Sequence, residues 1–132
     1  MIDHTGVVVS DFEASKRFYE RALGAIGLGK LREFPAAVTG HTDVAGFGPS
    51  GKAEFWISAA TAGQGSNKPP VHVAFRVDTR ADVDTFYAAA LAAGGTDNGA
   101  PGVRAHYHPN YYGAFVRDPD GHNIEAVCHA PG

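Results

Sequence analysis

Apolar, β-branched residues fill positions 2–9, and the hydrophobic pattern then changes period. Phe12, Phe18, Tyr19, Ala22 and Leu23 recur at the spacing of one helical face, while Glu13, Lys16, Arg17, Glu20 and Arg21 occupy the other. Ser10 with Glu13 three residues later has the form of a capping box, so the helix is predicted to begin there, and Gly24 and Gly27 to end it. Strand-prone runs follow at 28–39, 42–47 and 52–59, broken by Gly40 and by Gly48-Pro49-Ser50-Gly51. The predicted order is βαβββ.

A segment rich in Gly, Ser, Asn and Pro covers 61–70, and after it the order begins again. Residues 71–78 read as a strand. Thr79-Arg80-Ala81-Asp82 repeats the capping pattern, and Val83, Phe86, Tyr87, Ala90 and Leu91 mark a second helix closed by Gly94-Gly95. Three more strands are predicted at 103–107, 112–117 and 123–128. The halves share a register: His4 precedes Phe18 by 14 residues and His72 precedes Phe86 by 14, Phe18-Tyr19 returns as Phe86-Tyr87, and Ala22-Leu23 as Ala90-Leu91. Glu54 after Gly48-Pro49-Ser50-Gly51 matches Glu125 after Asp118-Pro119-Asp120-Gly121, and the two lie 50 and 53 residues beyond their histidines. The expectation is one α+β domain over 1–132, made of two tandem βαβββ modules (1–60 and 71–129, linker 61–70) that form a curved, cleft-bearing mixed sheet.

Composition narrows what such a domain does. At 132 residues it can bury roughly two-thirds of the surface its unfolded chain exposes. Hydrophobic residues make up 44% and charged ones 19%, with a net charge of -3, and the basic residues are scattered among carboxylates, which excludes a disordered tail and argues against nucleic acid as partner. No apolar run approaches the roughly 18–20 residues of a membrane span, and Met1 leads into patterned sequence without a signal peptide, so a soluble, unexported protein is expected. A single cysteine, Cys128, precludes an internal disulfide and suits a reducing cytoplasm; it is expected to be a small buried apolar residue. Glycine, at 17 residues, is in excess and is expected to punctuate eight short strands.

The repeat yields a His/Glu pair in each half, every member on a predicted strand. Related by an approximate two-fold axis, His4, Glu54, His72 and Glu125 would converge between facing sheets. Two imidazoles with one or two carboxylates suit a divalent zinc, nickel, iron or manganese ion, with positions left open for water and substrate. Glu54 stands within Ala53-Glu54-Phe55-Trp56-Ile57, where large apolar neighbours make an unpaired buried carboxylate costly. His122, in a turn, is expected to face water.

These residues resemble the vicinal oxygen chelate superfamily of glyoxalase I, extradiol dioxygenases and fosfomycin and bleomycin resistance proteins. The resemblance covers nearly the whole chain. It rests on Ile2-Asp3-His4 with Val7-Val8-Val9-Ser10-Asp11 and Phe18-Tyr19, on Val71-His72-Val73-Ala74-Phe75, and above all on the stretch from Phe115 through Asp118-Pro119-Asp120-Gly121-His122 to Glu125. It implies paired βαβββ modules around a metal, commonly in a homodimer, acting on a small molecule. His4, His72 and Glu125 match the superfamily's two-histidine, one-carboxylate metal set, and Glu54 matches the extra glutamate of glyoxalase I-like members.

Three activities follow from that resemblance. A glyoxalase I-like isomerase would polarise the vicinal oxygens of a hemithioacetal, with Glu54 or Glu125 as the catalytic base. No basic cluster is assigned to the carboxylates of glutathione, although Arg17 or Arg104 could be brought in by folding. An extradiol dioxygenase would use iron or manganese, with substrate met by His106 and His108 on one strand face and by Tyr111 and Tyr112. A resistance protein would sequester a drug without catalysis among aromatics such as Trp56, Phe55, Tyr107, Tyr111 and Tyr112. The full donor set favours the glyoxalase-like reading.

Overall fold

The computed structural model describes residues 1–132. Strand β1 (Thr5–Val9) alternates faces, burying Val7 and Val9 and leaving Gly6 and Val8 on the other side. The following helix α1 (Phe12–Ala22) is capped by Asp11, whose carboxylate accepts the Ala14 N–H at 3.1 Å. The cap is therefore one residue later than the predicted Ser10. Either residue type can cap, and the Ser10 amide is taken elsewhere, donating to Asp120 Oδ2 at 3.0 Å. A 3-10 turn (Gly24–Ile26) ends at Gly27 and leads to β2 (Gly29–Phe34), a single helical turn α2 (Ala36–Thr39), β3 (Val44–Gly48) and β4 (Phe55–Ala59). These strands form one mixed sheet in the order β1-β4-β3-β2, parallel at β1/β4 and antiparallel elsewhere.

The second module repeats this with β5 (His72–Arg76), α3 (Arg80–Ala92), β6 (Thr96–Asp97), β7 (Gly102–Val103), β8 (Tyr112–Arg117) and β9 (Asn123–Cys128). Its sheet runs β5-β9-β8-β6, with β7 also on β8, so β5, β9 and β8 stand where β1, β4 and β3 stand in the first. Thr79 caps α3 as predicted, accepting the Asp82 N–H at 3.1 Å. The strand predicted at 103–107 is absent: β6 and β7 are two-residue pieces and 104–110 are turns, a stretch in which Pro109 has no N–H for a ladder. His106 and His108 consequently share no strand face.

One hydrophobic core serves both modules. Tyr19, Phe47 and Phe55 from the first belong to the same buried cluster as Phe86, Val116 and Ile124 from the second, and α1 packs against α3. The turn at 118–122 fastens the modules together. Buried Asp118 accepts the Tyr19 hydroxyl of α1 on Oδ2 and the amides of Asp120 and His122 on Oδ1, at 2.9 and 2.8 Å. His122, expected in water, is fully buried: Nδ1 accepts the Val71 N–H at 3.1 Å, so Nε2 carries the proton and donates to the Val8 carbonyl at 3.2 Å. The pull of the inter-module gap on this ring leaves no periodic trace in sequence.

Burial pushes the Asp118 carboxyl above its ordinary value of 3.8, more strongly than its hydrogen bonds lower it. Protonation is thus easier in the fold than in the unfolded chain, a contribution to stability that is full below the unfolded value and lost as pH rises through the folded one. Urea denaturation across that window is expected to show the stability of the wild type relative to Asp118→Asn falling as pH rises. Asp118→Ala, which orphans the Tyr19 hydroxyl and two amides, is expected to cost roughly 2–4 kcal/mol.

Candidate active site

Strand alternation decides which side chains are available for chemistry. In β8, Tyr112, Ala114 and Val116 face the helices and the core, which puts Gly113 and Phe115 on the opposite, open face. Glu125 of β9 pairs with Phe115 across that face and is only 1% exposed. A carboxylate so buried requires partners, and both oxygens have one: Oε1 lies 2.9 Å from His72 Nε2, and Oε2 accepts the Tyr111 hydroxyl. Gly113 makes this possible, because a Cβ there would stand 3.2 Å from Tyr111 Cε1 and 3.3 Å from Glu125 Oε2. Burial, then the Glu125 carboxylate, hold the Tyr111 phenol well above its ordinary pKa, so it remains a donor. The His72 side chain is half exposed, which leaves the pair reachable from solvent.

The residues backing Tyr111 come from the folded-back stretch 104–110 and the chain end. His108 Nδ1 accepts the Asn110 N–H at 3.1 Å, which puts the proton on Nε2, and Nε2 donates to His129 Nδ1 at 2.7 Å. Tyr111 stands edge-on to His108, His129 and Tyr107, with ring centroids 5.5, 5.3 and 4.8 Å away, and His106 packs on Tyr107 at 4.2 Å. His106 and His108 therefore buttress Tyr111. Tyr112, grouped with them on sequence, lies on the other face of β8, donating to Asp84 of α3 at 2.7 Å with the Arg80 guanidinium over its ring. His129 was missed by sequence reasoning, although period-two alternation from Glu125 reaches it.

The first module's donors are arranged differently. His4 and Glu54 each sit one residue before their strands β1 and β4, correcting their placement on strands. His4 Nδ1 meets Asp3 Oδ1 at 2.7 Å. Hydrogen bonds from Lys52 first, then from His4, keep the Asp3 carboxyl below the usual range. His4 lines a cavity of about 530 Å³ on the open face of the first sheet, together with Trp56, Phe34 and Ser58. Glu54 and His72 instead share the wall of a cavity of about 350 Å³ at the seam between the modules. No three His, Cys, Asp or Glu side chains gather closely enough to hold one ion. The convergence of all four donors within one chain is thus corrected: His72 and Glu125 meet, Glu54 borders the same seam as His72, and His4 faces another cavity.

The His72–Glu125 pair itself suits a metal. Donors 2.9 Å apart match neighbouring positions about an ion bound at roughly 2.0–2.2 Å, and the imidazole and carboxylate are the ligand types first-row divalent ions take. The remaining donors would have to come from outside this pair.

Paired βαβββ modules with a buried histidine–glutamate contact on one open sheet face define a class of protein, and comparison with known proteins agrees. The family model of the Glyoxalase/Bleomycin resistance protein/Dioxygenase superfamily matches residues 1–126, and the chain belongs to that superfamily. Its fold is similar to that of a glyoxalase/bleomycin resistance protein from Albidiferax ferrireducens T118, at 30% identity and a TM-score of 0.77 over 96% of this chain and 97% of that one. A glyoxalase I mutant from Zea mays shares the fold at 24% identity and a TM-score of 0.73, this chain spanning 46% of its length. A glyoxylase/bleomycin resistance protein/dioxygenase domain from Frankia sp. EAN1pec does so at 18% identity and 0.72, over 98% of both chains. No curated protein matches. No helix is long and apolar enough to cross a membrane.

Tyr111→Phe removes the donor to a buried carboxylate oxygen while keeping the ring in its aromatic cluster. It is expected to lower stability by about 1–3 kcal/mol in urea denaturation, and Tyr107→Phe, whose side chain is largely exposed, by much less.

Proposed function

We propose that this protein is a metal-dependent enzyme that isomerises a small molecule bearing adjacent oxygens, as glyoxalase I does with a hemithioacetal. The observation that carries the reading is Glu125, a carboxylate buried on an open face and met there by His72 at hydrogen-bond distance. His72 and Glu125 hold one divalent ion, zinc, nickel, iron or manganese, and His4 and Glu54 of a second copy complete its ligands in a homodimer. Bound there, the ion supplies Lewis-acid polarisation of the two substrate oxygens. That arrangement gives a reason for the donors being divided between two sheets within each chain.

The chain's own groups divide the remaining work. Tyr111 holds Glu125 Oε2, so that Oε1 is the oxygen turned toward His72 and the ligand side. Glu54, exposed at the wall of the seam cavity, is the ligand placed to serve also as the base that carries a proton between neighbouring carbons. Arg104 is committed to its own loop, donating to the carbonyls of Gly102 and Ala100 at 2.8 and 2.9 Å beneath a stacking contact with Phe115. With those donors held by its own loop, Arg104 is not assigned to a glutathione carboxylate, and the thiol half of the substrate is left open. The buried free thiol of Cys128 is compatible with a cytoplasmic location.

Elemental analysis and calorimetric titration with nickel, zinc, iron(II) and manganese test this reading. The wild type is expected to bind about one ion per chain, and His72→Ala and Glu125→Gln to lose at least about tenfold in affinity. His4→Ala is expected to weaken binding as well and to leave hemithioacetal isomerisation impaired. Full metal occupancy in both the His72 and Glu125 variants, or a wild type that binds none of the four metals, overturns the proposal.

A further inference from the structure

The two histidines of the repeat are held in different ways. His72 is turned to its ligand side by Glu125, which meets Nε2 at 2.9 Å. His4 precedes β1, its side chain is 61% exposed, and no hydrogen bond joins it to Glu54, so neither burial nor a glutamate orients its ring. The contact that does orient it comes from the residue beside it. His4 Nδ1 lies 2.7 Å from Asp3 Oδ1, and an ionised carboxylate only accepts, so Nδ1 carries the proton and Nε2 keeps its lone pair. Val71 stands before His72 where Asp3 stands before His4, so this device belongs to the first half of the chain alone.

Asp3 is kept ionised for this role. Its other oxygen, Oδ2, accepts from the Lys52 ammonium, and that bond first, then the one from His4, hold the carboxyl below the usual carboxylate range. Lys52 is within reach because β1 and β4 run parallel with Thr5 opposite Phe55, and the Thr5 amide donates to the Glu54 carbonyl at 2.9 Å. The residues leading into β4 therefore lie alongside those leading into β1. Exposed ion pairs of this kind add little to stability, but a choice between two tautomers of one ring needs little energy. In a histidine free in water the proton sits more often on Nε2, the nitrogen that must be bare if it is to bind an ion, so the contact with Asp3 reverses the ring's own preference.

We infer that Asp3 is a positioning residue that holds His4 as its Nδ1–H tautomer, with the Nε2 lone pair left free to ligate a metal ion. The purpose of this hold rests on the proposed metal site, while the tautomer itself is a property of the metal-free chain. Asp3 acts through His4 and takes no place among the ligands.

Long-range ¹H–¹⁵N correlation spectra of the metal-free, ¹⁵N-labelled protein read the tautomer of each of its seven histidines at about pH 8.5, where ordinary imidazoles are neutral, and His4→Gln assigns the His4 signal. The wild type is expected to show His4 mainly as Nδ1–H, and Asp3→Ala, an exposed substitution, to return the ring to mainly Nε2–H. Nickel titration is expected to show Asp3→Ala binding roughly tenfold more weakly than the wild type, and that loss to vanish when His4 is already alanine. A His4 ring protonated on Nε2 in the wild type, a tautomer unmoved by Asp3→Ala, or a nickel loss that persists in the His4→Ala background overturns the inference. A chain that shows the expected tautomers and binds no nickel, zinc, iron(II) or manganese overturns the proposed metal site and leaves the hold of Asp3 on His4 established.

Discussion

The contact between Asp118 and Tyr19, with His122 beside it, is the constraint on which the molecule depends. Each βαβββ module has one sheet and one covering helix, too little to bury a core by itself, and the apolar faces of α1 and α3 find each other only if the modules keep a fixed relation. Asp118 reaches from the second module into the first to accept the Tyr19 hydroxyl, and His122 bridges the amide of Val71 and the carbonyl of Val8. These bonds satisfy buried polar groups where the two halves of the chain meet, and the exposed Ser10 amide adds a further tie to Asp120. A buried carboxylate whose pKa is raised by its own desolvation is a costly fastener, tolerated because every oxygen it buries has a donor.

From that relation follows the division of the chemistry. The helices occupy the inner faces of both sheets, so His72, Glu125 and Tyr111 project from the open face of one and His4 and Trp56 from the open face of the other. A single chain thus has two open sheet faces and a seam between them, bordered by Glu54 and His72. The proposed two-chain metal site draws on both faces, joining His72 and Glu125 of one copy to His4 and Glu54 of another.

Much of the fold was legible because it is written in periodicities. The helical spacing of Phe12, Phe18, Tyr19 and Ala22, repeated by Val83, Phe86 and Ala90, gave both helices, and the register between halves singled out His72 and Glu125, which the structure brings together. What escaped was set by tertiary packing. The strand expected at 103–107 became turns that fold back to deliver Tyr111 to Glu125, and that path depends on a distant carboxylate. Tyr112 was read as a neighbour of Tyr111 in function, yet adjacent strand residues face opposite ways, and it went to the helix side. His4 lies just before the start of its strand, where its ring meets Asp3, itself held by Lys52, and no pattern of hydrophobic positions has a say.

The most direct test of the account is anomalous diffraction at the nickel edge from crystals of the nickel-loaded protein. The account predicts an anomalous peak between His72 and Glu125 of one chain, with His4 and Glu54 of a second chain closing on it. A peak away from His72 and Glu125, or no peak in a protein that has bound nickel stoichiometrically in solution, would contradict it.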